Sequence, residues 1–244
     1  MDFMLYAMDA MVNQAAKWSH MFGGQANAGV TIRSIINRGG EQGAQHSQAL
    51  HAWFAHVPGL RVVMPSTVAD ARDLLIASVL CKDPVIYIDD RWLYDQEDNL
   101  PPISEINLVV QKPIISLAGE DITVVASGHS SLLAREAAQE LKNRDISAEV
   151  IDVRILNPFH TEEILKSVKK TKNLLVVDSG WTSGGFSAEI IAKTLEQLPV
   201  NCLKNPPVRI ALPNAPAPSS RVLEKAYYIT AKDIVEGIRK ILSK

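Results

Sequence analysis

The chain contains little cysteine, no long hydrophobic run and no excess of basic charge. Its two cysteines, Cys81 and Cys202, stand far apart without CxxC spacing, so no disulfide framework is implied and reduced thiols are expected. No apolar run approaches the roughly 20 residues of a membrane-spanning helix. The first residues lack the basic region, apolar block and cleavage site of a signal peptide. With a net charge of −2, we expect a cytoplasmic protein whose main partner is neither nucleic acid nor a membrane.

Several common site motifs are also missing. Neither GxxxxGK(S/T) nor GxGxxG occurs, which excludes the usual phosphate-binding loops, and the absence of GxSxG excludes the usual serine-hydrolase elbow. His46, His51 and His56 suggest a metal site, but they are spaced by five residues. A five-residue step turns a helix by about 140°, so the three cannot share one face. We predict no metal there and interpret His51 and His56 as ordinary core or surface histidines.

The hydrophobic pattern alternates between helix and strand along the whole chain, which predicts an α/β fold with largely parallel sheets. A length of 244 residues with 47% hydrophobic content suffices for two domains. In the first half, the predicted helices cover 5–18, 47–55 and a segment through 69–79, and the predicted strands cover 30–33, 60–64 and 85–88. In the second half, the predicted strands cover 122–126, 148–153, 174–177 and 208–211, and the predicted helices cover 132–142, 161–169, 187–195 and 231–242. The polar and proline-containing segment between the two halves is interpreted as a linker plus an edge hairpin.

The stretch Gly39–Gln48 is the strongest local sign of a functional site. Its glycines allow a close approach to a ligand, and its one imidazole, that of His46, can donate or accept a proton near neutral pH. A histidine that caps a helix or binds a loop carbonyl explains His46 equally well from the residues alone. Glu41 is interpreted as an exposed loop carboxylate. The segment Gly180–Gly185 fits an anion site at a helix start, although a tight strand–helix turn explains it better.

Ordered motifs then suggest a family. NQAAK at 13–17, FGG at 22–24, GAQHSQ at 43–48, WFAHVPGL at 53–60, VVMPST at 62–67 and DPV at 83–85 stand in the first half, and DVRILNP at 152–158 and GWTSGGF at 180–186 in the second. The chain resembles the β subunit of the thiamine-diphosphate-dependent 2-oxoacid dehydrogenases (pyruvate, branched-chain and acetoin types), in the transketolase superfamily. The resemblance covers essentially the whole chain. It implies a truncated pyrimidine-binding domain over 1–94, a linker over 95–119 and a transketolase C-terminal domain over 120–244.

The resemblance also implies roles and partners. His46 matches the family's substrate-channel histidine, which takes part in acyl transfer to lipoyl groups, and Phe3 matches the aromatic residue that packs on the cofactor's aminopyrimidine. An imidazole can move a proton in such a site, and an aromatic face can hold a flat heterocycle. The implied partners are an α subunit that holds the diphosphate and magnesium, a second β chain, and a lipoyl acyltransferase core.

Two departures from the family stand out. The family's cofactor-activating glutamate lies upstream of the segment that matches, and Glu41 is no substitute, so the chain is expected to be truncated and inactive alone. Some members also bind a monovalent cation after the helix that ends near residue 80, with an aspartate where this chain has Cys81. A thiol is a poor ligand for a hard cation, and Val30, Ser78 and Val79 offer only backbone carbonyls, so no metal is predicted.

The resulting hypothesis is a β-type chain of a decarboxylating 2-oxoacid dehydrogenase. With an α partner and thiamine diphosphate, the full-length form decarboxylates a 2-oxoacid and passes the acyl group to a lipoyl domain. Two alternatives stay open: a transketolase-like ketol transfer, which the QHSQ segment argues against, and a non-catalytic assembly protein that kept the fold. The C-terminal domain is expected to mediate β–β pairing and docking to the core, with the proline-rich segment 201–220 contributing.

Overall fold

A four-stranded sheet forms the first half of the protein. The computed structural model describes residues 1–103 and 105–243. The strands of this sheet are β1 (Thr31–Ile36), β2 (Arg61–Val63), β3 (Val85–Asp90) and β7 (Ile155–Asn157). Their order is β1–β3–β2–β7, in which β3 is parallel to β1 and β2, and β7 is antiparallel to β2. Every residue of β3 is buried, as expected for a central strand covered on both faces.

A five-stranded sheet forms the second half. Its strands are β4 (Ile114–Leu117), β5 (Ile122–Ala126), β6 (Ala148–Asp152), β8 (Leu174–Trp181) and β9 (Val208–Leu212). They lie in the order β4–β6–β5–β8–β9, and all neighbours are parallel except β4, which is antiparallel to β6. The predicted α/β fold with two largely parallel sheets is therefore confirmed.

Eight α-helices connect and cover these strands in the part of the chain that the structure describes. They are α1 (Trp18–Met21), α2 (His51–Ala55), α3 (Val68–Leu80), α4 (His129–Lys142), α5 (Glu162–Thr171), α6 (Phe186–Leu195), α7 (Arg221–Tyr227) and α8 (Ala231–Leu242). None of the helices within residues 1–103 and 105–243 combines the length and apolar character that crossing a bilayer requires.

The N-terminal segment is helical over the predicted range 5–18, but it mixes helix types and is not a single α-helix. A π-helix over Asp9–Gln14 lies between two 3₁₀ segments, Asp2–Ala7 and Ala15–Lys17. The N-terminal segment has two buried residues five positions apart, Met11 in the π-helix and Ala16 in the 3₁₀ segment that follows it. A π-turn places residues five positions apart on one side of the helix, whereas an α-helix pairs residues three or four positions apart.

The helix predicted from residue 47 begins only at His51. The backbone N–H of Gln48 donates to the Asp2 carboxylate at 3.0 Å, and the N–H of Leu50 points to the Met1 sulfur at 2.9 Å. The backbone of Ser47 (φ −136°, ψ 32°) and of Leu50 (φ −95°, ψ 19°) lies outside the α-helical region, so the helix cannot begin before His51.

The predicted edge hairpin is also wrong. The strand β4 lies at the edge of the second sheet, but it pairs with β6 rather than with a neighbour in sequence. Two short elements, β7 and α7, were not predicted. The strand β7 has three residues and pairs with β2 in the first sheet, although it follows β6 in the chain. One strand from the second half therefore completes the sheet of the first half.

One hydrophobic core lies between the two sheets. Phe54 and Val62 from the first half pack in the same buried cluster as Ile151, Val176 and Phe186 from the second. A second core, behind the second sheet, contains Ile234, Ile238 and Ile241 of α8, which lie on one face of that helix as predicted. The shared core fixes the two halves against each other.

Candidate functional site

The site is built at one edge of the first sheet. The strands β1, β2 and β3 are parallel, so the segments that follow them meet at their carboxyl ends. The segment that follows β1 is residues 37–48, the "His46 loop". It has little regular structure beyond a 3₁₀ turn over Ala44–His46, and Gly39, Gly40, Glu41 and Gly43 all have positive φ.

The structure brings the two predicted site residues together. The rings of Phe3 and His46 meet edge to face, with centroids 5.2 Å apart and an angle of 65° between their planes. Both side chains are exposed, and Phe3 keeps 69% of its surface open to solvent. Such a pair presents a free aromatic face beside a free imidazole. The roles that the resemblance gives to these residues stay predictions.

The N-terminal segment holds Phe3 in this place. The Asp2 carboxylate accepts the N–H of Gln48 at 3.0 Å. Asp2 precedes Phe3, and Gln48 lies two residues after His46, so this hydrogen bond keeps the segments that carry Phe3 and His46 side by side. The Asp2 carboxylate is therefore engaged by the loop backbone.

The other side of the His46 loop contacts the second half. The backbone N–H of Glu41 donates to Oε1 of buried Glu224 at 2.9 Å, and the exposed Glu41 carboxylate pairs with Arg221 at 3.2 Å. A Cβ at Gly43 would lie 2.7 Å from Oγ of Ser219, so the close approach of these segments requires glycine there. Glu41 is thus a loop carboxylate turned toward α7.

His51 is a buried histidine that contacts a carboxylate of the second half. Its Nε2 lies 2.9 Å from Oδ1 of Asp178 in β8, and the two side chains are 1% and 4% exposed. Burial raises the pKa of Asp178, but the His51 imidazole and the N–H groups of Gly180 and Ser187 outweigh it and hold the pKa at about 2. This carboxylate accepts the backbone N–H groups of Gly180 and Ser187. Those two donors on either side of the turn at 180–185 are therefore satisfied by the protein itself, which fits a tight strand–helix turn.

A second buried group lies at the start of the His46 loop. The Arg38 guanidinium forms an ion pair with Asp90, at the end of β3, and lies 5.3 Å from the centre of the Trp92 ring. The ring of Trp92 also contacts His129 at 5.1 Å. Burial and then the Arg38 charge lower the pKa of His129 to about 4, which keeps it neutral at pH 7. The sequence analysis did not identify this cluster of Arg38, Asp90, Trp92 and His129. The available signal was the pair of aspartates that ends the otherwise apolar strand β3.

Metal ligands are not gathered in the part of the chain that the structure describes. No group of three or more His, Cys, Asp or Glu side chains within residues 1–103 and 105–243 is placed to hold an ion. In the last turn of α3, the Ser78 carbonyl accepts bonds from the Thr31 hydroxyl at 2.8 Å and the Cys81 N–H at 3.2 Å. That carbonyl is occupied by the protein itself.

The two sheets, their helices and the order of the halves define a transketolase-type α/β protein. Two known domain families match the chain: "Transketolase, pyrimidine binding domain" over residues 1–96 and "Transketolase, C-terminal domain" over 112–234. A solved structure described as "Split gene transketolase, inactive beta4 tetramer" superposes with a TM-score of 0.77 at 22% identity, over 99% of this chain and 73% of the other. That likeness concerns the fold.

Relatives of known name show to which family of transketolase-type proteins the chain belongs. The chain is 36% identical to the acetoin:2,6-dichlorophenolindophenol oxidoreductase β subunit of Cupriavidus necator, over 99% of this chain and 71% of that one. It is 35% identical to the protein of the same name from Bacillus subtilis, over 100% and 70%. It is 34% identical to the pyruvate dehydrogenase E1 component β subunit of Rhizobium meliloti, over 100% of this chain and 53% of that one, so it spans about half of that protein. The chain belongs to the family of 2-oxoacid-dehydrogenase-type E1 β subunits.

Proposed function

We propose that the chain is the β component of a thiamine-diphosphate-dependent enzyme that oxidatively decarboxylates a 2-oxoacid and transfers the acyl group to a lipoyl domain. The observation that carries this proposal is the exposed Phe3–His46 pair. The motif resemblance implies a cofactor-binding role for Phe3 and an acid–base role for His46, and the contact between the two side chains, 43 positions apart, supports the proposal.

The aromatic part of this site fits the cofactor. Phe3 has an open ring face, which is what stacking on a flat aminopyrimidine requires. The neighbouring acidic side chains are engaged elsewhere: Asp2 binds the N–H of Gln48, and Glu41 pairs with Arg221. We therefore assign ring binding to Phe3 and leave cofactor activation to the glutamate that the family carries upstream of the matching segment.

The chain's own residues then have limited and separate roles. Thiamine diphosphate, with magnesium held by an α subunit, supplies the electron sink for decarboxylation. Phe3 orients the pyrimidine ring and shields one of its faces from water. His46, exposed beside it, holds or releases a proton at its imidazole during acyl transfer to the lipoyl sulfur.

The proposal extends to partners and domains. Residues 1–94 act as the pyrimidine-binding domain, 95–119 as a linker, and 120–244 as the C-terminal domain that pairs with a second β chain and docks to the acyltransferase core. The proline-rich segment 201–220 contains β9, which pairs with β8. The loop after β9 is also held close to β8, because the Trp181 indole N–H donates to the Ala215 carbonyl at 2.9 Å, and surface loops on such a scaffold commonly carry binding functions.

The test combines the chain with an α partner. The purified chain, and the same chain extended at its N-terminus with the upstream residues of the Cupriavidus necator β subunit, are each mixed with that relative's α subunit and thiamine diphosphate. Reduction of dichlorophenolindophenol is followed with pyruvate, branched-chain 2-oxoacids and acetoin. We expect turnover by the extended protein and none by the 244 residues alone.

Other outcomes favour the alternatives. Ketol transfer between sugar phosphates, without 2-oxoacid turnover, indicates a transketolase-like activity. Intact dimerisation and α binding without turnover by the extended protein indicate an assembly protein that kept the fold.

A further inference from the structure

We propose that His51 is a positioning residue, which fixes the His46 loop against the second half of the protein through Asp178. The inference rests on the proposed function only in taking His46 as the residue that acts in acyl transfer. Its structural part concerns where the loop lies and can be tested without turnover.

The His46 loop has few restraints of its own. Four of its residues have positive φ, and its regular structure is one 3₁₀ turn. The helix that follows, α2, has five residues, and its N-cap position, Leu50, makes no side-chain capping bond. A loop of this kind keeps one position only when contacts from outside hold it.

The His51 side chain supplies such a contact at the end of the loop. It bridges 127 positions to the Asp178 carboxylate, which also accepts the N–H groups of Gly180 and Ser187. One buried carboxylate therefore joins the start of α2, the end of β8 and the first turn of α6. Since the pair is excluded from water, its geometry is more firmly fixed than that of an exposed ion pair.

Gly180 makes room for this contact. A Cβ there would lie 3.2 Å from Cε1 of His51, 3.3 Å from Oδ1 of Asp178 and 3.5 Å from the Ala49 carbonyl. The backbone of β8 thus touches both the histidine and the chain that leads from His46 into α2.

The other anchors of the loop differ from this one. The Glu41–Arg221 pair is exposed, with Arg221 75% open to solvent, and such pairs contribute little. The Arg38–Asp90 pair is buried, but both partners belong to the first half. Two backbone bonds also hold the loop, from the Glu41 N–H to Glu224 in the second half and from the Gln48 N–H to Asp2 in the first. Of the three side-chain pairs, His51–Asp178 is the one that is both buried and between the halves, and it lies close to His46 in sequence, so we assign the positioning role to it.

The experiment uses two substitutions that differ in reach. Glutamine places an amide nitrogen about where Nε2 of histidine lies, whereas asparagine is too short to reach Asp178. The proteins are His51→Gln and His51→Asn, with His56→Gln and His56→Asn as matched controls, because His56 is an exposed histidine of the same helical region. Hydrogen exchange of the amides of residues 43–48 is measured in the 244-residue chain.

We expect exchange about tenfold faster in His51→Asn, near wild-type exchange in His51→Gln, and no change in either control. In the extended enzyme with its α partner, we expect His51→Asn to lower kcat for lipoyl acylation with KM for the 2-oxoacid unchanged, and His51→Gln to restore it. Equal loop exchange in His51→Asn and His51→Gln overturns the proposal, because the difference in reach is then without consequence. If the extended wild-type enzyme shows no turnover, the proposed function fails while the exchange comparison still decides this inference.

Discussion

The exposed Phe3–His46 pair and the buried polar contacts between the two halves are built in opposite ways. Phe3 and His46 lie open to solvent and touch each other edge to face. In contrast, three buried side-chain contacts cross between the halves, which we call the buried joint: His51–Asp178, Ser66–Asp152 and Asp70–Arg154.

The difference separates two tasks. A residue that acts on a ligand must stay accessible, so it contributes little to folding. Charged groups in the interior are costly unless they are paired, so their removal affects stability. We therefore expect substitutions in the buried joint to change unfolding and substitutions at Phe3 and His46 to change chemistry.

The largest expected effect on stability is that of Asp178→Ala. It leaves the His51 imidazole and the N–H groups of Gly180 and Ser187 buried without their acceptor, and breaking a buried pair in this way costs about 3–5 kcal/mol. Urea unfolding of the chain measures the loss. The matched control, Asp95→Ala at an exposed position, should change the free energy of unfolding by less than about 0.5 kcal/mol. Equal losses in both proteins contradict the comparison.

The pH dependence of stability tests Asp152. Burial raises its pKa to about 6 from the ordinary value of 3.8, despite the bonds from Ser66 and Ser131. The folded state therefore binds a proton more tightly than the unfolded state, so this group's contribution is full below about pH 4 and is lost as the pH rises through about 6. A difference of about two pKa units corresponds to about 3 kcal/mol.

The measurement compares the wild type with Asp152→Asn at several pH values from 4 to 7. The substitution removes the titrating group, so stability should fall less steeply with rising pH in the variant. Identical slopes in the two proteins show that Asp152 does not titrate in this range.

Phe3→Ala is expected to have a smaller effect on folding. With 69% of its surface exposed, Phe3 should contribute less than about 1 kcal/mol to stability, whereas Phe54→Ala, at a fully buried position, should cost about 3–5 kcal/mol. The affinity for thiamine diphosphate in the complex with the α subunit should fall about tenfold in Phe3→Ala, which is the usual value of one aromatic stacking contact. Calorimetric titration gives that affinity, and unchanged binding removes Phe3 from the cofactor site.

Arg221→Ala should have the smallest effect. Arg221 is 75% exposed and pairs with Glu41 at the surface, so the expected loss is below about 0.5 kcal/mol and smaller still in high salt. A loss above about 1 kcal/mol in urea unfolding indicates that this pair holds the His46 loop to the second half more firmly than its exposure suggests.

Features of the fold that depend on neighbouring residues could be predicted from the sequence, and features that depend on contacts between distant parts of the chain could not. The alternation of apolar residues predicted the central strands and α8, because a buried strand or an amphipathic helix is recorded in consecutive residues. The predicted start of α2 was wrong because Ser47 and Leu50 have non-helical backbone angles, in a segment that also contacts the distant Asp2, and no local pattern records such a contact. The strand β7 was missed because three residues between polar neighbours acquire their strand structure only by pairing with β2.

The site divides in the same way. The motif around His46 marked the loop, and the family resemblance gave Phe3 and His46 their expected roles, but neither predicted that the two side chains touch. The His51–Asp178 pair joins residues 127 positions apart, and His51 was interpreted only as an ordinary histidine. Asp178 gave no signal of its own, since an aspartate at the end of a buried strand has many possible partners.

The central claim is that His46 acts in acyl transfer and not in holding the fold. The direct test is the rate of lipoyl-domain acylation by the extended chain with its α subunit, in the wild type, in His46→Gln and in the exposed control His56→Gln. We predict that His46→Gln slows acylation at least about 100-fold, the usual size of a general acid–base contribution, with the free energy of unfolding and the reduction of dichlorophenolindophenol preserved, and that His56→Gln matches the wild type. Acylation by His46→Gln at the wild-type rate contradicts the account.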